Sequence, residues 1–419
     1  MSSNGVWIAN ANNDTMLNGA GLNPGSNVNS WPNGLLNTYA NIFLPYPNDT
    51  NKYILFHHTD TVSGNTYMTR ELFYSLIDMT LANGLGGVIK KNQIAFQDTL
   101  SWGIAACRHA NGRDWWIVAK KDNDDKIITV LFTDSGISNI SYQSLNYSPY
   151  HLENINQLTF SRDGKQIMLS TYDNPISKKC SLVISNFNRC TGMFSNTQVV
   201  LLSKNLYLWG LAFSASGNYA YACSSQNIFQ VSTTTLQVDT VAWYDGFSFP
   251  LQSAATTFFN MYLAANGKIY ITSGNGVQHL HEMNYPDSAG LGCDVQQHSI
   301  FLNIWNFRAV PNHPNYYLGC DTTLGCGCAT SYNQYAMDDS KFNIYPNPNN
   351  GVFSIGYKAI ATTSKLSVID VNGKTIYTQT LPPWSNEQSI KCLLTKGVYV
   401  VRIENGSEYV SRKMLVIDN

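Results

Sequence analysis

The chain is short of charge. Only 13% of its 419 residues are Asp, Glu, Lys or Arg, against about a quarter in an ordinary soluble domain. Its 26 basic residues nearly balance 27 acidic ones, and no basic block or stripe is present. Nucleic acid is therefore not an expected partner. No apolar run approaches the ~18 residues of a spanning helix, so no transmembrane segment is expected. The opening MSSNGVWIANANNDTM lacks a basic n-region and an apolar h-region. If the protein is exported, its signal peptide belongs upstream of Met1.

Catalytic signatures are missing too. There is no G-x-S-x-G, H-E-x-x-H, G-x-G-x-x-G or P-loop. His279 and His281 in HLHE share one face of a strand, a spacing that suits a metal, but no third ligand can be assigned. His57 and His58 are adjacent and point to opposite faces. KDNDDK gathers Asp122, Asp124 and Asp125 without the Gly and distant Glu of a calcium loop, and reads as a solvated turn. Asp98 and Asp163 are the weakest of candidates for a glycosidase pair, and Asp163 sits in a hairpin turn where Asp is expected anyway. No catalytic, cofactor-binding or metal residue is assigned, and no cofactor is implied.

The nine Cys are an odd number. The dense group Cys320, Cys326 and Cys328 admits a disulfide, free thiols or a metal, though it lacks the second pair that zinc sites use. Cys180 and Cys190 flank SLVISNFNR. On one continuous strand they stand about 30 Å apart and cannot pair with each other.

What the chain does have is a repeat. LTFSRDGKQIMLS, LAFSASGNYAYAC and MYLAANGKIYIT each read as strand, tight turn, strand. ACRHANGRDWWIVAK reads the same way, FRAVPNHPNYYL follows near its end, and FLPYPNDTNKYILF is an earlier, looser copy. The turn glycines Gly112, Gly164, Gly217 and Gly267 are 52, 53 and 50 residues apart. Such turns need positive φ, and a period of about 50 in β-rich units implies four-stranded blades. The expected fold is all-β: a six- or seven-bladed β-propeller over residues 1–330, its first blade possibly incomplete, with GVWIAN as an extra strand. A linker at 331–341 then leads to a small β-sandwich at 342–419. There Phe353, Ile355 and Tyr357 alternate along one strand, as do Leu366, Val368 and Asp370, then Tyr399, Val401 and Ile403, then Met414 and Val416. Pro346 and Pro348 mark the entrance.

Two resemblances attach to these residues. LFYSLIDMTLANGLGGVIKKN, HANGRDWWIV, FSRDGKQIMLS, FNRCTG and DTTLGCGC resemble, in order, motifs of secreted propeller proteins of the Bacteroidetes. YPNPNNGVFSI, VIDVNGKTIY, KGVYVVRI and RKMLVID resemble the type A C-terminal sorting domain of type IX secretion, the Por system. That resemblance implies the type IX machinery as a partner of residues 342–419, and release or display at the outer-membrane surface.

The function expected is a secreted or surface-displayed, non-catalytic binding module for a glycan or protein ligand. The alternatives are a polysaccharide-active enzyme with its site at the channel mouth and a structural adhesion protein. With 25 Tyr and 9 Trp, rings are available to stack on sugars as well as to fill the core.

Overall fold

A computed structural model describes residues 1–63, 66–147, 157–172, 179–204, 207–249, 253–329, 342–358, 362–371, 373–405 and 408–417. The linker expected at 331–341 lies outside them. The chain divides into two units, Met1–Ala329 and Thr330–Asn419.

The predicted hairpins Asn41–Pro45/Lys52–His57, Leu158–Phe160/Gln166–Tyr172, Gly210–Phe213/Tyr219–Cys223 and Met261–Leu263/Ile269–Ile271 all form. The four turn glycines take φ of 78°, 71°, 76° and 82°, the conformation that selects glycine there. After residue 157 each hairpin gains two more antiparallel strands. This gives three four-stranded sheets, which end at Phe194–Lys204, Val238–Trp243 and Val295–Asn306. Consecutive sheets pack face against face. Ile167 and Leu169 meet Trp116 and Val118 on one side of their sheet. Met168 and Leu182 meet Leu211 and Phe213 on the other.

The bladed ring does not form. Among the described residues no sheet closes on itself, and the strands from Ser2–Ser3 to Gly136–Ser144 make one eleven-stranded sheet. The cause is the strand Gly87–Arg108, 22 residues long. Its first part pairs with Thr66–Asp78 and its last part with Trp115–Lys121, so one strand serves two hairpins that the ~50-residue period separates. GVWIAN supplies the strand Trp7–Ala9, in a ribbon joined in parallel to the same long strand through Leu17 and Gly87.

The last copy of the repeat, Phe307–Leu318, is not a hairpin: no strand follows Asn306 among the described residues of this unit. The segment instead runs alongside the hairpins. The side-chain amide of Asn312 lies 3.1–3.2 Å from the carbonyls of Tyr39, Asn41 and Ile104. Tyr316 donates to Phe43 O, and the backbone N–H of Asp321 donates to Ala110 O. Disulfides Cys190–Cys326 and Cys320–Cys328 staple the segment. The dense cysteine group is thus a disulfide framework, and Cys190 bonds Cys326 while Cys180 stays a buried thiol.

In the second unit a three-stranded and a four-stranded antiparallel sheet share one core. Phe353, Ile355, Tyr357, Leu366, Val368, Tyr399, Val401, Ile403, Met414 and Val416 all point into it, as their alternation predicts. Asp370 leaves the pattern because its strand ends at Ile369 and it enters a turn with Lys374. The Asn- and Pro-rich stretch lies inside this unit. Asn347 donates to Lys413 O and accepts from Leu415 N. Asn349 and the last strand exchange two backbone bonds, so the stretch is fastened to RKMLVID.

Candidate functional site

In each hairpin the start of the first strand lies beside the end of the second, opposite the glycine turn. Side chains tie these starts together. Tyr39 Oη and Gln157 Nε2 each donate to Met261 O at 3.1 Å, while Leu211 N donates to Gln157 Oε1. Gly210 allows the closest approach: a Cβ there falls 2.1 Å from Phe259 O.

Around this knot the strand ends deliver aromatic rings. Tyr172 ends one strand; Tyr207 and Trp209 precede the next sheet; Phe259 precedes the one after. The ring centroids are 5.4, 5.8 and 5.0 Å apart in that order, and the planes lie within 15–34° of parallel. Arg308, two residues past Asn306, lays its guanidinium 4.5 Å from the Phe259 ring and 4.6 Å from Phe307. Phe259 is buried and anchors the row, whereas Tyr172 and Trp209 are part-exposed and Tyr207 is exposed. Among the described residues the Tyr207 hydroxyl and the Trp209 indole N–H have no protein hydrogen-bond partner, in contrast to the bonded indoles of Trp102, Trp115 and Trp116. A row of this kind offers apolar ring surface and unspent donors side by side.

A second cluster at the same strand ends is polar and closed. Asp60, 2% exposed, accepts from Thr69 Oγ1 and Trp102 Nε1 on one oxygen and from Asn37 Nδ2 on the other. Burial raises its pKa, and Asp122 adds to the rise. Both oxygens are spent on structural donors, so this carboxyl is poorly placed for acid–base work on a substrate. His58 bonds the Trp102 carbonyl, and His57 bonds Asn23 and Ser75. The adjacent histidines serve separate networks, and burial holds their pKa values at about 4 and about 3.

The other sequence candidates are dispersed. His279 sits among Phe247, Phe249 and Phe301, while fully buried His281 accepts from His298 N. Among the described residues no three metal-ligating side chains group together. Asp98 is held by Lys121 at 2.9 Å. Asp163 accepts from Ser161 and Lys165 N within its turn. Asp124 caps Lys126, and Asp125 bonds Ser144 and Asn146 across the neighbouring strand end. Trp115 and Trp116 fill two different clusters. The aromatic row and Arg308 were not singled out in the sequence, where the only available signal is an aromatic residue at the edge of three successive hairpins.

Comparison with known proteins separates the two units. Residues 343–417 match the family model described as the secretion system C-terminal sorting domain. This tail is a type IX secretion sorting domain. No curated protein matches the chain. Among solved structures, a periplasmic gluconolactonase of Pseudomonas aeruginosa aligns at 12% identity over 84% of this chain and 87% of its own, with a TM-score of 0.40. A functionally unknown protein from Desulfotomaculum acetoxidans aligns at 12% over 65% and 75%, TM-score 0.36. A putative TolB from Agrobacterium tumefaciens aligns at 12% over 72% and 92%, TM-score 0.30. Similarity at that level carries no argument about activity. The sorting domain is therefore what the comparisons establish: the chain carries a secretion address.

Proposed function

We propose that the chain is an exported, non-catalytic binding module that takes up a saccharide on the row Tyr172–Tyr207–Trp209. The observation that carries this reading is the row itself. Exposed and part-exposed rings stand together with the Tyr207 hydroxyl and Trp209 indole N–H, which have no partner among the described residues, and no carboxylate is among the residues that form the row. Ring faces stack on the C–H faces of pyranoses while N–H and O–H groups take hydroxyls, and this needs little charge. The spent oxygens of Asp60 support a role without catalysis. The sorting domain supports export of this module, and retention at the surface or release would follow.

A glycan array run beside hydrolysis assays on the same polysaccharides tests this. Binding without turnover, lost in Trp209→Ala, is expected. Turnover abolished by Asp60→Asn would replace the module with an enzyme. In a native host, removal of residues 342–419 is expected to leave the protein inside the cell, and undiminished secretion of the truncated chain would remove the export half of the proposal.

A further inference from the structure

Arg308 ends the aromatic row, its guanidinium against Phe259. Its Nε donates to Gly274 O at 3.1 Å, and its own carbonyl accepts from Asn260 Nδ2. Phe259 and Phe307 flank the guanidinium. Gly274 lies flat on Phe259, where an added Cβ meets the ring at 3.1 Å. The head group is thus fixed in position and plane. Its two Nη groups have no acceptor, and no carboxylate pairs with it, among the described residues. Burial is the sole influence on its pKa, which it lowers.

Two arginines of this unit behave differently. Arg113 pairs with Asp114 and Asp134, and Arg189 gives Nε to Arg108 O and Nη2 to Gly319 O. A guanidinium held by rings, with an open fork and no counter-ion, matches a planar or tetrahedral anion bidentately. Phe259 and Phe307 border the fork, and Trp209 and then Tyr207 follow beyond Phe259 along the row, so the fork adjoins ring surface that suits a sugar.

We infer that the ligand is an anionic oligosaccharide, bearing a uronate carboxylate or a sulfate that seats on Arg308 while adjoining sugar units lie along Trp209 and Tyr207. This rests on the saccharide-binding reading and adds the charge that selects among glycans. Kd is measured by calorimetry on the full chain with three probes: oligogalacturonate, its methyl ester, and a sulfated galactan oligosaccharide. At least one acidic probe is expected to bind ten-fold or more tighter than the neutral ester. That preference is expected to shrink as salt rises and to vanish in Arg308→Gln. Comparing oligogalacturonate with the sulfated probe tells which anion is selected. The ester comparison uses the wild-type chain, so it stands even if the variant misfolds. Equal affinity for ester and both acids overturns the inference and leaves the module intact. No binding of any probe, with none on a wider array, overturns both.

Discussion

The two ends of the hairpins in the first unit use the same residue types for opposite purposes. At the turn end, Arg108 and Arg189 are buried; Arg108 gives both Nη groups to the carbonyls of Gly112 and Tyr316, and Arg189 gives Nε and Nη2 to those of Arg108 and Gly319. Trp116 donates its indole N–H to Arg189 O and fills the core. At the strand end, Arg308 and Trp209 keep donors unspent beside exposed ring surface. A buried donor without a partner costs about 1–3 kcal/mol, so unspent donors are best tolerated at part-exposed positions where water or a ligand takes them. Residue type alone therefore does not mark a site; what marks it is whether the hydrogen-bonding capacity is already used.

Acid should separate the first unit from the tail most strongly. His57, His58 and His281 are fully buried, with pKa values pushed down by burial to about 3, about 4 and about 4. The unfolded chain, with pKa near 6.5 for each, takes up protons first. Stability is complete above about pH 6.5 and falls below it by about 1.4 kcal/mol per pH unit for each histidine, until the folded pKa values are reached. Denaturant melts between pH 7 and pH 4 check this, and a flat profile contradicts it. The tail contains no histidine, so its strands should not share this acid loss.

The sealed end should depend on its staple. Replacing Cys326 by Ala is expected to cost about 2–5 kcal/mol, since the bond to Cys190 closes a long loop. An unchanged melting temperature would show that the segment at 312–329 needs no fastening. Gly210→Ala should cost about 1–3 kcal/mol through its clash with Phe259 O, and it should disturb the row because Phe259 anchors it. The smallest effect belongs to the tail. Asn349→Ala removes the acceptor of Gly351 N and is expected to cost about 1 kcal/mol.

The tail was the most legible part of the chain. Each of its strands buries one face, so period-two alternation picks out Phe353, Ile355, Val401 and Ile403 directly. In the first unit the hairpins were legible through Gly112, Gly164, Gly217 and Gly267, because a tight turn leaves a local mark. The architecture was not. Spacing says how often hairpins recur, but not that Gly87–Arg108 runs unbroken from one hairpin into the next. Nor does it say that 307–318 gives up pairing to lie along the others. The row was hidden for a related reason: Tyr172, Trp209, Phe259 and Arg308 are far apart in sequence and meet only through the stacking of successive sheets.

The central claim is that the strand end, and not the turn end, meets the ligand. The direct test is calorimetric titration of one saccharide bound by the wild-type chain against two single variants. Trp209→Ala removes a ring from the row, and Tyr317→Ala removes an exposed ring from the segment that leads to the disulfides. The account predicts at least a ten-fold loss of affinity for Trp209→Ala and unchanged affinity for Tyr317→Ala. Equal affinity in Trp209→Ala and the wild type, or a greater loss in Tyr317→Ala, would contradict it.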